Sequence, residues 1–158
     1  AVPPAADLRG VLFDVDGTLC DSDPIHLLAF QEMLASLGFN GGKPIDERFF
    51  QEHISGRHNP DICRDLFPDG TEEEHEQFAR EKEQLFRTRS KGRLQPVAGL
   101  PEFLEWVQAQ GLRKAAVTNA PRENAECMLA ALGLADFFDE LVIGAECPRA
   151  KPHPDPYI

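Results

Sequence analysis

The period of the apolar residues changes twice along the chain. Val11-Leu12-Phe13 is a short, continuous, β-rich run, the pattern of a strand buried on both faces of a parallel sheet. It leads straight into Asp14-Val15-Asp16-Gly17. From residue 20 to about 95 the apolar residues recur at helical spacing, and no strand pattern interrupts them. A helix is expected over 23–37, with Leu27, Phe30, Leu34 and Leu37 on one face. Others are expected over 46–54, over 59–67 and over 71–90, the last with Phe78, Leu85 and Phe86 as its apolar positions. The punctuation agrees. Asp23 suits an N-cap and Pro24 the first helical position, Gly38 follows a helix end, and Thr71 with Glu74 forms a capping box. Beyond residue 95 the pattern alternates. Leu100, Phe103, Leu104 and Val107 predict a helix closed by Gly111; 114–118 reads as a buried strand; 121–132 as a helix closed by Gly133; 137–143 contains another strand.

Strand, helix, strand, helix, strand in that order predicts parallel βαβ units with right-handed crossovers. The expected fold class is therefore α/β, a Rossmann-like parallel sheet interrupted after its first strand by a helical bundle. The divisions are a leader at 1–7, a core made of 8–19 and 96–158, and a helical insert at 20–95. Parallel strands are rarely left uncovered, so the first strand calls for a further neighbour, and the sequence reads as part of a longer chain.

Composition narrows the partners. The net charge of −11 argues against nucleic acid or an anionic membrane surface. No apolar run is long enough to span a bilayer, and residues 1–7 lack the apolar core of a signal peptide. Cys20, Cys63, Cys127 and Cys147 are scattered, which fits reduced thiols in a cytoplasmic protein better than a disulfide framework. His53 and His58 lack companion ligands and an i, i+4 spacing, so they are not read as a metal pair.

The candidate chemistry lies at the end of the first strand, where open α/β sheets place ligands. Two acids one residue apart repel unless positive charge separates them. A divalent cation is the simplest counter-charge, and hard cations take oxygen ligands; Asp14 and Asp16 are the expected metal ligands. Gly17 lets the backbone turn sharply or approach a ligand closely, which places it among the substrate-binding candidates. A solvated Asp-Gly turn would show the same dipeptide.

Asp14-Val15-Asp16-Gly17-Thr18-Leu19 resembles the nucleophile motif of the haloacid dehalogenase-like (HAD) hydrolase superfamily. Thr118-Asn119, after the apolar 115–117, resembles the second motif, and Lys151-Pro152-His153-Pro154 the third. Alone, a Thr at a strand end is a local cap and a Lys in a Pro-rich loop is a solvated charge. All three in order, with a helical block between the first two, reproduce the family pattern. That block then resembles the helical (C1-type) cap. The stretches 12–26 and 115–121 are similar to plant sugar-phosphate phosphatases.

The resemblance implies a Mg²⁺-dependent phosphomonoesterase acting on small phosphorylated metabolites, chiefly sugar phosphates. Asp14 would be the nucleophile, forming an aspartyl-phosphate; Asp16 would shuttle the proton; Mg²⁺ would be held by Asp14 and the Asp16 carbonyl. The Thr118 hydroxyl and Asn119 backbone N–H would bind phosphoryl oxygens, with Lys151 offsetting charge. A dehalogenase needs no proton donor two residues after its nucleophile, so Asp16 favours phosphate esters. In the cap, the resemblance points to His26 near the hinge, to Gly56 and Arg57 in a specificity loop, and to Arg87 as a distal-phosphate cation. For these, a surface histidine, an exposed arginine and a solvated helix charge are the alternatives. The family's fourth, acidic motif is absent from the sequence. A phosphosugar mutase and a truncated non-catalytic homologue are the rival readings.

Overall fold

In the computed structural model the described residues are 8–158, so the leader expected at 1–7 lies outside them. The chain divides into two compact units. One holds the residues up to Ser22 together with Gly92–Ile158, and the other is Asp23–Lys91.

The first unit is α/β. Strands β1 (Gly10–Phe13), β2 (Arg113–Thr118) and β3 (Glu140–Ile143) form one parallel sheet in the order β1-β2-β3. Phe13 pairs with Ala116 and Thr118 with Ile143. Helix α5 (Leu100–Ala109) leads into β2, and α6 (Arg122–Ala131) connects β2 to β3. Leu104, Val107, Ala125, Met128 and Leu129 from these helices are buried together with Phe13, Val117 and Ile143 of the strands. Phe13 meets Phe103 and Phe138 edge-on, with ring centroids 5.9 and 5.5 Å apart. Such pairs add to simple area burial.

β1 departs from its expectation. Its apolar run predicts burial on both faces, yet Leu12 is 55% exposed and Val11 only half-buried. The reason lies in the pairing: among the described residues β1 is bonded to β2 alone, so it forms an edge of the sheet.

The second unit is helical. It contains α1 (Asp23–Ser36), α2 (Glu47–His53), α3 (Asn59–Leu66) and α4 (Glu72–Ser90), with a 3₁₀ turn at Phe39–Gly42. Phe30, Leu34, Ile45, Phe50, Ile54, Ile62, Cys63 and Phe78 make its core. The buried stripe of α1 is Ile25, Ala29, Phe30 and Leu34. Leu37, expected on that face, is 61% exposed; α1 ends one residue earlier, and Gly38 turns the chain at φ 75°. The Thr71/Glu74 capping box forms at the start of α4, and Asp46 caps α2 by accepting from the Phe49 N–H at 2.8 Å. The boundaries differ by a few residues from the expected 20–95. Cys20 bridges to Asp16 and to Pro96, and Val97 N–H donates to the Leu19 carbonyl at 3.1 Å. These contacts hold residues 19–20 and 96–97 in the α/β unit.

Candidate active site

Asp14 is the first residue beyond β1 and Thr118 the last of β2. The parallel register sets these two strand ends side by side. Lys151, 137 residues from Asp14 in sequence, donates from Nζ to Asp14 Oδ1 at 2.5 Å and to the Val117 carbonyl at 3.0 Å. Its side chain is 18% exposed and that of Asp14 43%, so the ammonium is the inner partner and the carboxylate the accessible one. Asp14 Oδ2 also accepts from the Thr18 hydroxyl at 3.3 Å. Asp16 Oδ1 accepts from the hydroxyl of the fully buried Ser22 at 2.8 Å.

The loop that presents both acids is a tight turn. Thr18 and Leu19 N–H groups donate to the Val15 carbonyl, and the Gly17 N–H donates to the Cys20 carbonyl at 2.9 Å. Gly17 has φ 71°, a left-handed conformation in which a side chain is strained. Its amide is committed inside the turn. Gly17 therefore shapes the corner, and the expected role as a direct substrate contact gains no donor from its N–H.

Thr118 is buried, and its hydroxyl oxygen accepts from the Ala120 N–H at 3.1 Å. This is the local cap expected of a Thr at a strand end; its O–H is a separate donor. Asn119, also half-buried, turns its carboxamide onto the Lys151 backbone: Nδ2 donates to the Lys151 carbonyl and Oδ1 accepts from the Lys151 N–H, each at 3.1 Å.

Asp14 and Asp16 bring two carboxyl groups to this corner and Lys151 one ammonium. Adding a phosphate there demands more positive charge. The donor set is all oxygen, which suits a hard cation. Mg²⁺ typically binds one or two carboxylates and completes its shell with water and substrate phosphate. Among the described residues no group of three or more His, Cys, Asp or Glu side chains gathers. Asp14 and Asp16 offer the carboxylate oxygens that such an ion takes.

Cys20, next to this loop, is not a competing nucleophile. Burial, reinforced by the charges of Asp16 and Asp21, pushes its thiol up to about 12. The thiolate is the reactive form, so at pH 8 Cys20 is expected to stay unmodified by iodoacetamide in the native protein and to react after unfolding. Peptide mass mapping checks this; rapid native labelling of Cys20 contradicts the assignment.

The remaining candidates belong to the helical unit. His26 on α1 stacks on Phe86 of α4, with centroids 4.0 Å apart and planes at 11°. Gly56 is exposed with φ 73°. Arg57 donates to the His53 carbonyl at 2.8 Å and pairs with Asp65 at 2.6 Å, so the loop arginine is tied to its own unit. Arg87 is half-buried on α4. Sequence reading missed Ser22 and the Asn119 side chain. It also missed a buried ion pair, Lys82 with Glu83, whose carboxylate accepts from Asn59 Nδ2 at 2.6 Å.

The family model of haloacid dehalogenase-like hydrolases matches residues 11–158, and the chain belongs to that family. It is 30% identical over 151 residues to N-acetylmuramic acid 6-phosphate phosphatase of Pseudomonas aeruginosa, covering 96% of this chain and 66% of that protein. It is 30% identical over 155 residues to phosphoglycolate phosphatase of Nitrosococcus oceani, covering 94% and 66%. The crystal structure of CbbY from Rhodobacter sphaeroides in complex with phosphate shares the fold, with a TM-score of 0.80 at 24% identity over 95% of this chain and 69% of that one. The chain spans about two thirds of the length of the curated relatives it matches. No helix among the described residues is long and apolar enough to cross a membrane.

Proposed function

We propose that this chain carries the nucleophile and charge-balancing groups of a Mg²⁺-dependent phosphomonoester hydrolase acting on small phosphorylated metabolites, sugar phosphates in particular. The Asp14–Lys151 pair carries the reading: an accessible carboxylate at a strand's carboxyl end, backed by an inner ammonium. Two relatives, named for N-acetylmuramic acid 6-phosphate and for phosphoglycolate, support the substrate class.

In this reading an Asp14 oxygen attacks phosphorus in line. The new O–P bond forms as the ester P–O bond breaks, leaving an aspartyl-phosphate and splitting one hard hydrolysis into two easier steps. Asp16 gives its proton to the departing oxygen, then takes one from the water that opens the intermediate. Ser22, hydrogen-bonded to Asp16 Oδ1, orients that carboxyl. The Thr118 hydroxyl and Asn119 backbone N–H bind phosphoryl oxygens, and Lys151 offsets the charge that gathers on them. Mg²⁺, held by Asp14 and Asp16, would supply Lewis-acid charge neutralisation. The helical unit Asp23–Lys91 is assigned the part of a cap that selects substrate, with His26, Gly56, Arg57 and Arg87 as the residues to test.

The discriminating experiment screens phosphorylated metabolites for phosphate release by the full-length protein. Release from small phosphate esters is expected with Mg²⁺ present, with loss under excess EDTA and return on adding Mg²⁺. No release from any ester overturns the reading. Isomer formation from a hexose phosphate in place of phosphate release would make the protein a mutase.

A further inference from the structure

Lys151 comes from an irregular segment after β3, where no regular element fixes its backbone. Its Nζ must nevertheless meet Asp14 Oδ1 and the Val117 carbonyl together. Both polar groups of the Lys151 main chain are bonded by the Asn119 side chain, through Nδ2 to the carbonyl and Oδ1 to the N–H. A primary amide offers a donor and an acceptor side by side in this way.

The seat of that amide is equally specific. A Cβ added to Gly144 would overlap Asn119 Oδ1, with Asn119 Cγ and Ala150 Cβ close behind. Gly144 is buried, immediately after β3. The absence of a side chain there opens the space into which the Asn119 carboxamide lies.

We propose that Asn119 is a positioning residue whose carboxamide, seated over Gly144, latches the Lys151 backbone so that Nζ reaches Asp14. The assignment concerns the side chain and is separate from any contact of the Asn119 backbone N–H with substrate. It rests on the phosphatase reading for its kinetic consequence, but the latch itself is testable without turnover.

The test uses Asn119→Ala, Gly144→Ala and the double variant in the full-length protein with Mg²⁺. Losing a residue that orients an active-site group typically costs about 10- to 100-fold, and that fall is expected in kcat for Asn119→Ala, with KM within about threefold because substrate-binding groups remain. Gly144→Ala should show the same fall, since its methyl displaces the amide. The double variant should be no slower than Asn119→Ala, because residues acting through one contact are not additive. Unfolding midpoints give the second readout: Gly144→Ala is expected to lower the midpoint by about 5 °C when residue 119 is Asn and by much less when it is Ala. Native kcat in Asn119→Ala, or independent effects of the two substitutions on the midpoint, overturns the latch. A wild-type protein that releases no phosphate, yet shows the coupled midpoints, retains the latch and removes the phosphatase reading instead.

Discussion

Asp14→Asn is expected to abolish phosphate release, with a loss of about 10⁴-fold or more, if Asp14 is the nucleophile that forms the covalent intermediate. The substitution is nearly isosteric. Its amide oxygen can still accept from Lys151 Nζ where Asp14 Oδ1 now does, so the fold is expected to survive and the unfolding midpoint to move little. What the substitution removes is the carboxylate oxygen proposed to attack phosphorus. Asp16→Asn separates the second role: a loss of about 10²–10⁴-fold is expected for general acid–base catalysis. That loss should shrink for p-nitrophenyl phosphate, whose leaving oxygen needs no proton. Steady-state phosphate release with both substrates makes the measurement. Retained turnover in Asp14→Asn, or an Asp16→Asn deficit that ignores the leaving group, removes the assigned roles.

The candidate acids stood out where chemistry forces rare local patterns. Two acids one residue apart after an apolar run have few structural uses, and the parallel sheet follows from the alternation of strand and helix. Lys151 was legible only through its motif, because nothing local in a Pro-rich loop says which acid it will meet. Ser22 was hidden for a different reason. It lies between Asp21 and Asp23, with no local signal of burial, yet it is fully buried and donates to Asp16. Asn119 was assigned through its backbone, while the use of its side chain depends on Gly144, 25 residues further on. The open edge of β1 followed from the sequence, since a first strand that calls for a further neighbour is left unpaired without one; the exposure of Leu37 escaped because periodicity gives the apolar face of a helix but not its last residue.

Lys82→Met is expected to destabilise the protein by about 3–5 kcal/mol at pH 7, the usual consequence of leaving one charge of a buried pair uncompensated. Residues 80–83 of α4 are all charged, Arg80-Glu81-Lys82-Glu83. The side chains of Lys82 and Glu83 are nevertheless only 3% and 9% exposed and form an ion pair. Nζ of Lys82 also lies 5.1 Å from the centre of the Phe30 ring, and Asn59 donates to the same Glu83 oxygen. Burial alone would raise the Glu83 pKa; the Lys82 charge, the Asn59 hydrogen bond and the charge of His26 outweigh it and hold the carboxyl below its ordinary range. The sign for wild type follows. A depressed carboxyl contributes stability that is present above the unfolded-state value of about 4.3 and lost as pH falls through the folded one. Without Lys82 the main opposing charge is gone and burial dominates, so the folded carboxyl moves above its unfolded value. The variant's deficit is then largest at neutral pH and shrinks as the medium approaches the point where Glu83 is protonated. Urea unfolding at pH 7 and pH 5 measures both the size and the trend. Lys82→Met combined with Glu83→Gln should recover most of the stability, since the neutral amide keeps an acceptor for Asn59 and buries no charge. A single variant within 1 kcal/mol of wild type, a flag set by the spread of surface substitutions at about 0.5 kcal/mol, or a double variant no better than the single one, would show that the pair does not hold the helical unit together.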